Sequence, residues 1–176
     1  MNEKTVREWL KYADEDFKGG KLLFENNQEE FKTLVCFHMQ QTVEKYLKAY
    51  LVSNNIEIDR ANKNKIHDIG KLIEKCKEID EDFNSLYNIE PDRLTEYGVD
   101  LKYPFPFKVP TLEDERTAIS IAEQVRPFVI KKINELSPTI DQDHNIKNDL
   151  TIAEKEPVQN KPNIVHSGTI KRKFRR

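Results

Sequence analysis

Residues 36–51 read CFHMQQTVEKYLKAYL, a run with helical composition in which glutamines and charges alternate with residues of core type. At about 100° per residue, Cys36, Met39, Val43, Tyr46, Leu47, Tyr50 and Leu51 gather on one broad arc. His38, Gln41, Glu44, Lys45 and Lys48 occupy the opposite arc, which Phe31, Leu34, Phe37, Ala49 and Val52 border or interrupt. A helix over roughly 29–53 that is apolar on more than one side sits at the centre of a bundle or is shared with a second subunit. Its polar arc has two readings. In one, His38, Gln41, Lys45 and Lys48 meet a nucleotide phosphate or an RNA backbone. In the other, Glu44 and Lys48 form an i,i+4 pair contributing a few tenths of a kcal/mol and the rest is surface or a subunit seam.

The flanking segments repeat the helical period. Upstream, Val6, Leu10, Ala13, Phe17, Gly20 and Phe24 alternate steps of four and three, with Trp9 widening the stripe, which predicts an amphipathic helix. Gly19 and Gly20 inside it mark a close helix contact or a bend. Downstream, the polar stretch 53–65 is a turn-rich loop, and Ile66, Ile69, Leu72, Ile73, Cys76 and Ile79 then predict a short third helix begun by His67 or Asp68. Phe83, Leu86 and Tyr87 imply another half-buried turn or two, and Pro91 starts a brief helical segment that Gly98 is expected to end as a C-cap. LKYPFPFKVP, residues 101–110, cannot be helical, because its prolines remove backbone donors and push each preceding residue toward extended geometry. Thr111 opens the capping-box pattern T-L-E-D, followed by a helix that buries Ala118 or Ile119, Ile121, Ala122, Val125, Val129 and Ile133 and that Pro127 should kink.

Together these elements predict an all-α, up-and-down bundle of four to five helices in residues 1–136, with a short proline-rich loop before the last helix. Residues 137–176 have few large apolar side chains and no sustained period, so they read as a polar tail without a core of its own, flexible or docked on a partner. The net charge of -2 conceals an asymmetry: residues 1–136 carry 21 basic and 26 acidic side chains, and residues 137–176 carry eight basic and five acidic. The terminal KRKFRR can sample a polyanion, with Phe174 available for stacking, or serve as a solubilising or partner-binding end. His144 and His166 lie apart in this polar tail and are expected to be solvated.

Several classes of function are set aside by composition. Apolar runs are short and the N-terminus lacks a stretch of signal-peptide length, so neither export nor a membrane span is expected and a cytoplasmic location is. Cys36 and Cys76 sit in apolar helical patterns without metal-ligand neighbours, which favours buried thiols over a disulfide or zinc site. Glycine-rich phosphate loops, nucleophile motifs and paired catalytic carboxylates do not occur in the sequence. No metal site and no cofactor is expected.

The order of these motifs resembles a known family. A first helix with Trp9 and Ala13, the run CFHMQQTVEKYLKAYL, then IHDIGKL, then YGVDLKYP, and a closing helix beginning TLEDERTAISIAEQV, is similar to the HEPN domain over about residues 4–136. The resemblance implies a cytoplasmic helical bundle, commonly a homodimer and often paired with a small nucleotidyltransferase. It also implies one of two activities: a metal-independent ribonuclease toxin, or a module that binds a nucleotide or RNA, or a partner. The ribonuclease pattern in this family is Arg, a polar residue, three to five others, then His, and Arg60 followed by His67 meets that spacing at its upper limit. There a neutral imidazole can take a proton from a ribose 2′-hydroxyl while a guanidinium stabilises charge on the phosphorane. Ala61 stands where the pattern has Asn, Asp or His, and a competing reading has His67 starting helix three and Arg60 solvated in the loop. Lys102 stands where related sequences often have Arg before Tyr-Pro, keeping the charge and losing the bidentate fork. Tyr103 is read as a packed or half-exposed ring. The leading expectation is therefore the HEPN module of a toxin–antitoxin or nucleotidyltransferase pair that binds RNA or a nucleotide through His38, Gln41, Lys45, Lys48 and Lys102. The alternatives are a ribonuclease using Arg60 and His67, and a non-catalytic adaptor that holds a partner through its tail.

Overall fold

The apolar stripes read from the sequence meet around α2, Lys32–Ser53, which runs through the centre of a helical bundle in the computed structural model. The structure describes residues 2–26, 30–58, 67–99 and 109–138. Arg60, Lys102, Tyr103, most of the proline-rich stretch 101–110 and the tail beyond residue 138 lie outside the described residues. The other elements are α1, Glu3–Asn26; α3, Ile69–Lys77; two 3-10 helices, Glu81–Ile89 and Pro91–Leu94; α4, Thr95–Val99; and α5, Leu112–Leu136. Among the described residues there is no strand.

Helix α2 packs against α1, α3, α4 and α5, and this is why it is buried on most of its circumference. Val35, Cys36, Met39, Val43, Tyr46, Leu47 and Ala49 have no exposed surface. They meet Val6, Leu10, Ala13 and Phe17 from α1 and Ala118, Ile121, Ala122, Val125, Val129 and Ile133 from α5, the two stripes expected from the sequence. Each large aliphatic or aromatic side chain buried in this way contributes about 1.5–3 kcal/mol. Phe83 wedges between Tyr50 and Phe128, with ring centroids 4.4 and 5.1 Å away, so the first 3-10 helix fastens the C-terminal halves of α2 and α5.

Helices α1 and α2 are antiparallel, and Gly20 lies in their contact. A Cβ at Gly20 would collide with the Met39 methyl and come within 3.0 Å of the His38 Cβ, so of the two sequence readings for this glycine, contact rather than bend explains it. Gly98 departs from expectation. Its φ is not positive, and it lies inside α4 rather than past its end. A Cβ there would stand 2.6 Å from the Gln40 side chain, so glycine serves close packing, and the left-handed residue of this region is Glu90, before Pro91.

The helix ends follow their local chemistry. Asp68 caps α3 by accepting from the Lys71 backbone N–H at 3.1 Å. Thr111 and Asp114 form the reciprocal capping box at the start of α5: the Asp114 N–H donates to Thr111 Oγ1 at 3.2 Å, and the Thr111 N–H donates to Asp114 Oδ2 at 2.8 Å. Helix α5 continues through Pro127 without a break. Cys36 and Cys76 are buried free thiols; burial foremost, with the neighbouring Glu115 charge, pushes Cys36 up to about 12. Among the described residues no helix is long and apolar enough to cross a membrane.

Candidate functional site

Glu44 is the centre of a connected polar group on α2. Its side chain is only 5 % exposed, and Lys48, one turn on, donates to its Oε1 at 2.6 Å. Gln40, one turn back, donates to its Oε2 at 2.8 Å, and Gln41 donates in turn to Gln40 Oε1 at 2.7 Å. The i,i+4 spacing stacks residues 40, 44 and 48 on one face. The surface pair expected from sequence is thus a buried one. Trp9 from α1 lies over the Lys48 ammonium, 5.7 Å from ring centroid to Nζ, and Gly98 from α4 closes over Gln40.

From the other side comes His67, immediately before the α3 cap. Its Nδ1 lies 3.0 Å from Glu44 Oε1, and its side chain is 42 % exposed. Burial acts to raise the Glu44 carboxyl, but the hydrogen bond and charge of Lys48, the hydrogen bond of Gln40 and the charge of His67 outweigh it and hold its pKa below the ordinary value. An ionised carboxylate only accepts. The His67 Nδ1 therefore carries the proton, and in the neutral ring Nε2 is left as the acceptor, in a residue open to solvent on one side. Fixing one imidazole nitrogen on a carboxylate so that the other can work is how proteins orient a general base or a ligand-binding histidine.

The predicted polar arc divides into two. His38 and Lys45 turn toward α1, where both meet Asp16, His38 Nδ1 at 3.0 Å from Oδ1 and Lys45 on Oδ2. Burial acts to raise Asp16, and the hydrogen bonds from His38 and Lys45 together bring it below the usual carboxylate value. Gln41 and Lys48 belong instead with Glu44 and His67. Of the seven residues singled out in the sequence, the structure gathers Gln41, Lys48 and His67 around Glu44, separates His38 and Lys45, and leaves Arg60 and Lys102 outside the described residues.

A third polar cluster went unread in the sequence. Asp14 of α1 accepts from the Tyr46 hydroxyl and from Arg126 Nε at 2.9 Å, and Arg126 also reaches the Tyr46 oxygen at 3.0 Å, with its guanidinium 5.5 Å from the Phe17 ring centroid. Burial foremost, with the Asp14 charge beside it, drives Tyr46 far above the ordinary phenol range. One signal was available. Asp14 falls four after Leu10 and three before Phe17, and Arg126 falls four after Ala122 and three before Val129, both in the step pattern of the buried stripe. Among the described residues no group of three or more His, Cys, Asp or Glu is placed to hold a metal ion.

The arrangement defines an all-α bundle whose second helix carries a buried acid holding a part-exposed imidazole. The family model for the HEPN domain matches residues 6–133, and the chain belongs to that family. No curated protein and no solved structure matches the chain. Membership supports a nucleotide- or RNA-related module in general, and the choice among the family's activities rests on the site itself.

Proposed function

We propose that this chain is the HEPN module of a toxin–antitoxin or nucleotidyltransferase pair, acting as a homodimer in the cytoplasm, and that it engages RNA or a nucleotide at His67. The observation that carries the ligand is the His67 imidazole, part-exposed and held through Nδ1 by the buried Glu44 carboxylate. A histidine that merely opened α3 would need no such partner, because Asp68 already supplies the cap. The pairing and the dimer rest on the family resemblance. The test is binding and copurification: a labelled RNA octamer and ATP are titrated against the protein, and the native complex is isolated from cells. The proposal expects micromolar binding of at least one of the two probes and recovery of a partner; failure of both defeats it.

The same geometry favours a second reading, metal-independent RNA cleavage. His67 Nε2 would take the proton from a ribose 2′-hydroxyl, Glu44 would keep the ring in the required tautomer, and the oxygen so activated would attack the adjacent phosphorus and displace the 5′-oxygen of the next nucleotide, which takes up a proton from water as a 2′,3′-cyclic phosphate is left. Arg60, seven residues before His67 in the sequence, would stabilise the charge gathering on the phosphorane oxygens. This reading expects cleavage that persists in excess chelator and that is lost in His67→Ala and Arg60→Ala. Undiminished cleavage by both variants removes these residues from the chemistry.

A further inference from the structure

One pocket lies a single side chain away from the His67 site. It is a half-open pocket of about 550 Å³ between the first turns of α1 and the segment that leaves α2, and its walls include Asn2, Thr5, Trp9, Asn55, Ile56 and Glu57. Trp9 belongs both to this pocket and to the site: its ring faces the Lys48 ammonium, which is bonded to the same Glu44 oxygen that holds His67. Ile58, the last described residue before Arg60, also lines the pocket. The wall thus connects, through one lysine and one carboxylate, to the imidazole.

We propose that this pocket is a base-recognition subsite, which seats a nucleobase against Trp9 while the adjoining sugar and phosphate lie toward His67. Three features of the lining select a base over the rest of a nucleotide. An indole ring with aliphatic neighbours suits a flat aromatic group, and base–aromatic stacking tolerates any base because each has a π-face. Among the described residues, the charged side chain on the lining is Glu57, which repels a phosphate and accepts from the exocyclic amino groups of adenine, cytosine and guanine. The amides of Asn2 and Asn55 offer donors and acceptors to the base edge.

The inference rests on the reading that this protein binds RNA or a nucleotide, and one experiment separates their failures. Trp9 is the single tryptophan of the chain, so its emission reports this pocket in the unmodified protein. The full-length chain is titrated with a labelled RNA octamer, with ATP and with tripolyphosphate, following probe anisotropy for the RNA, calorimetry for the small ligands and Trp9 emission throughout. The expected result is binding of the octamer or ATP accompanied by quenching of Trp9, with no quenching by tripolyphosphate; quenching by one probe alone tells a polymer from a free nucleotide as its source. Trp9→Ala is expected to weaken binding roughly 5- to 150-fold, and Trp9→Phe to recover most of the loss. Binding with unchanged Trp9 emission and undiminished affinity in Trp9→Ala overturns the subsite and leaves the broader function standing. Absence of any binding overturns both. Should Trp9→Ala not fold, judged by its helical circular dichroism, the quenching comparison on the unmodified chain still decides.

Discussion

Helix α2 buries two charged clusters on different sides, and they end differently. Toward α1 and α5, the carboxylate of Asp14, the hydroxyl of Tyr46 and the guanidinium of Arg126 bond one another, with only 10 and 12 % of the Arg126 and Asp14 side chains exposed. Toward α3 and α4, the chain of hydrogen bonds from Gln41 through Gln40 to Glu44 finishes on His67, a side chain 42 % exposed. Both clusters take ionised groups out of water, and both must recover that cost through close hydrogen bonding. The closed one returns it as a joint between three helices. In the open one, part of the arrangement is spent on orienting a group that solvent, and hence a ligand, can reach. The difference offers a criterion: a buried charge bonded among covered side chains is structural, and one that leads to an oriented, part-exposed imidazole is a candidate site.

The strongest test strikes the closed cluster. Arg126→Met keeps much of the aliphatic stem but leaves the Asp14 carboxylate without the guanidinium at its Oδ1, and removing one partner of a buried pair costs about 3–5 kcal/mol. Urea unfolding followed by circular dichroism should show that loss. A change below about 1 kcal/mol would mean that water screens the cluster and that the two clusters are alike. A smaller effect is expected where the open cluster is sealed. Gly98→Ala places a methyl 2.6 Å from the Gln40 side chain, so either α4 moves or Gln40 swings away from Glu44. Overpacking of this kind costs about 1–3 kcal/mol, and unfolding of this variant measures it. An unchanged midpoint would show that α4 yields freely and does not lock the network.

These side chains also show where sequence reading succeeds and where it stops. The stripes of α1 and α5, the Thr111 box and the Asp68 cap are local: each depends on residues within a turn or two, and each appears as expected. Period and hydropathy assign a charged residue to the outside of a helix, so Glu44 and Lys48 read as surface. They are buried because Trp9, Gly98 and His67 arrive from three other segments, 35 residues before Glu44 to more than 50 after it. Gly98 was legible as a glycine with a purpose but not as a neighbour of Gln40. Arg126 and Asp14 lay in the correct steps, yet hydropathy discounted them. His67 is the instructive residue, because its position before α3 fits both a helix start and a site, and only the distance to Glu44 separates the two.

The carboxylates give a pH dependence of definite sign. Glu44 and Asp16 both titrate lower in the fold than in an unfolded chain, where carboxylates lie near about 4. Each therefore adds stability that is fully present above the ordinary carboxylate range and that drains away as pH falls through the lowered folded value. The urea midpoint should fall as pH drops from 5 to 3, and more shallowly in Glu44→Gln, whose residue 44 no longer takes up a proton. An acid limb equally steep in that variant would assign the loss to Asp16 and the remaining acids, and the open cluster would lose its electrostatic distinction.

The smallest change in stability should accompany the largest change in function. His67→Ala removes one part-exposed partner from Glu44, which keeps Lys48 and Gln40, so unfolding should shift by about 1 kcal/mol or less, as for a solvent-screened pair. Over the same substitution, RNA cleavage in chelator, if the protein carries it, should fall by about 10²- to 10⁴-fold, the usual worth of a positioned general base. For a binding module the affinity for RNA or ATP should fall instead, while the circular dichroism spectrum stays that of the parent. The opposite pattern, a loss of several kcal/mol with ligand binding intact, would make His67 a second joint like Arg126. The two clusters on α2 would then differ only in their depth below the surface, and a ligand would have to be sought on another face of the bundle.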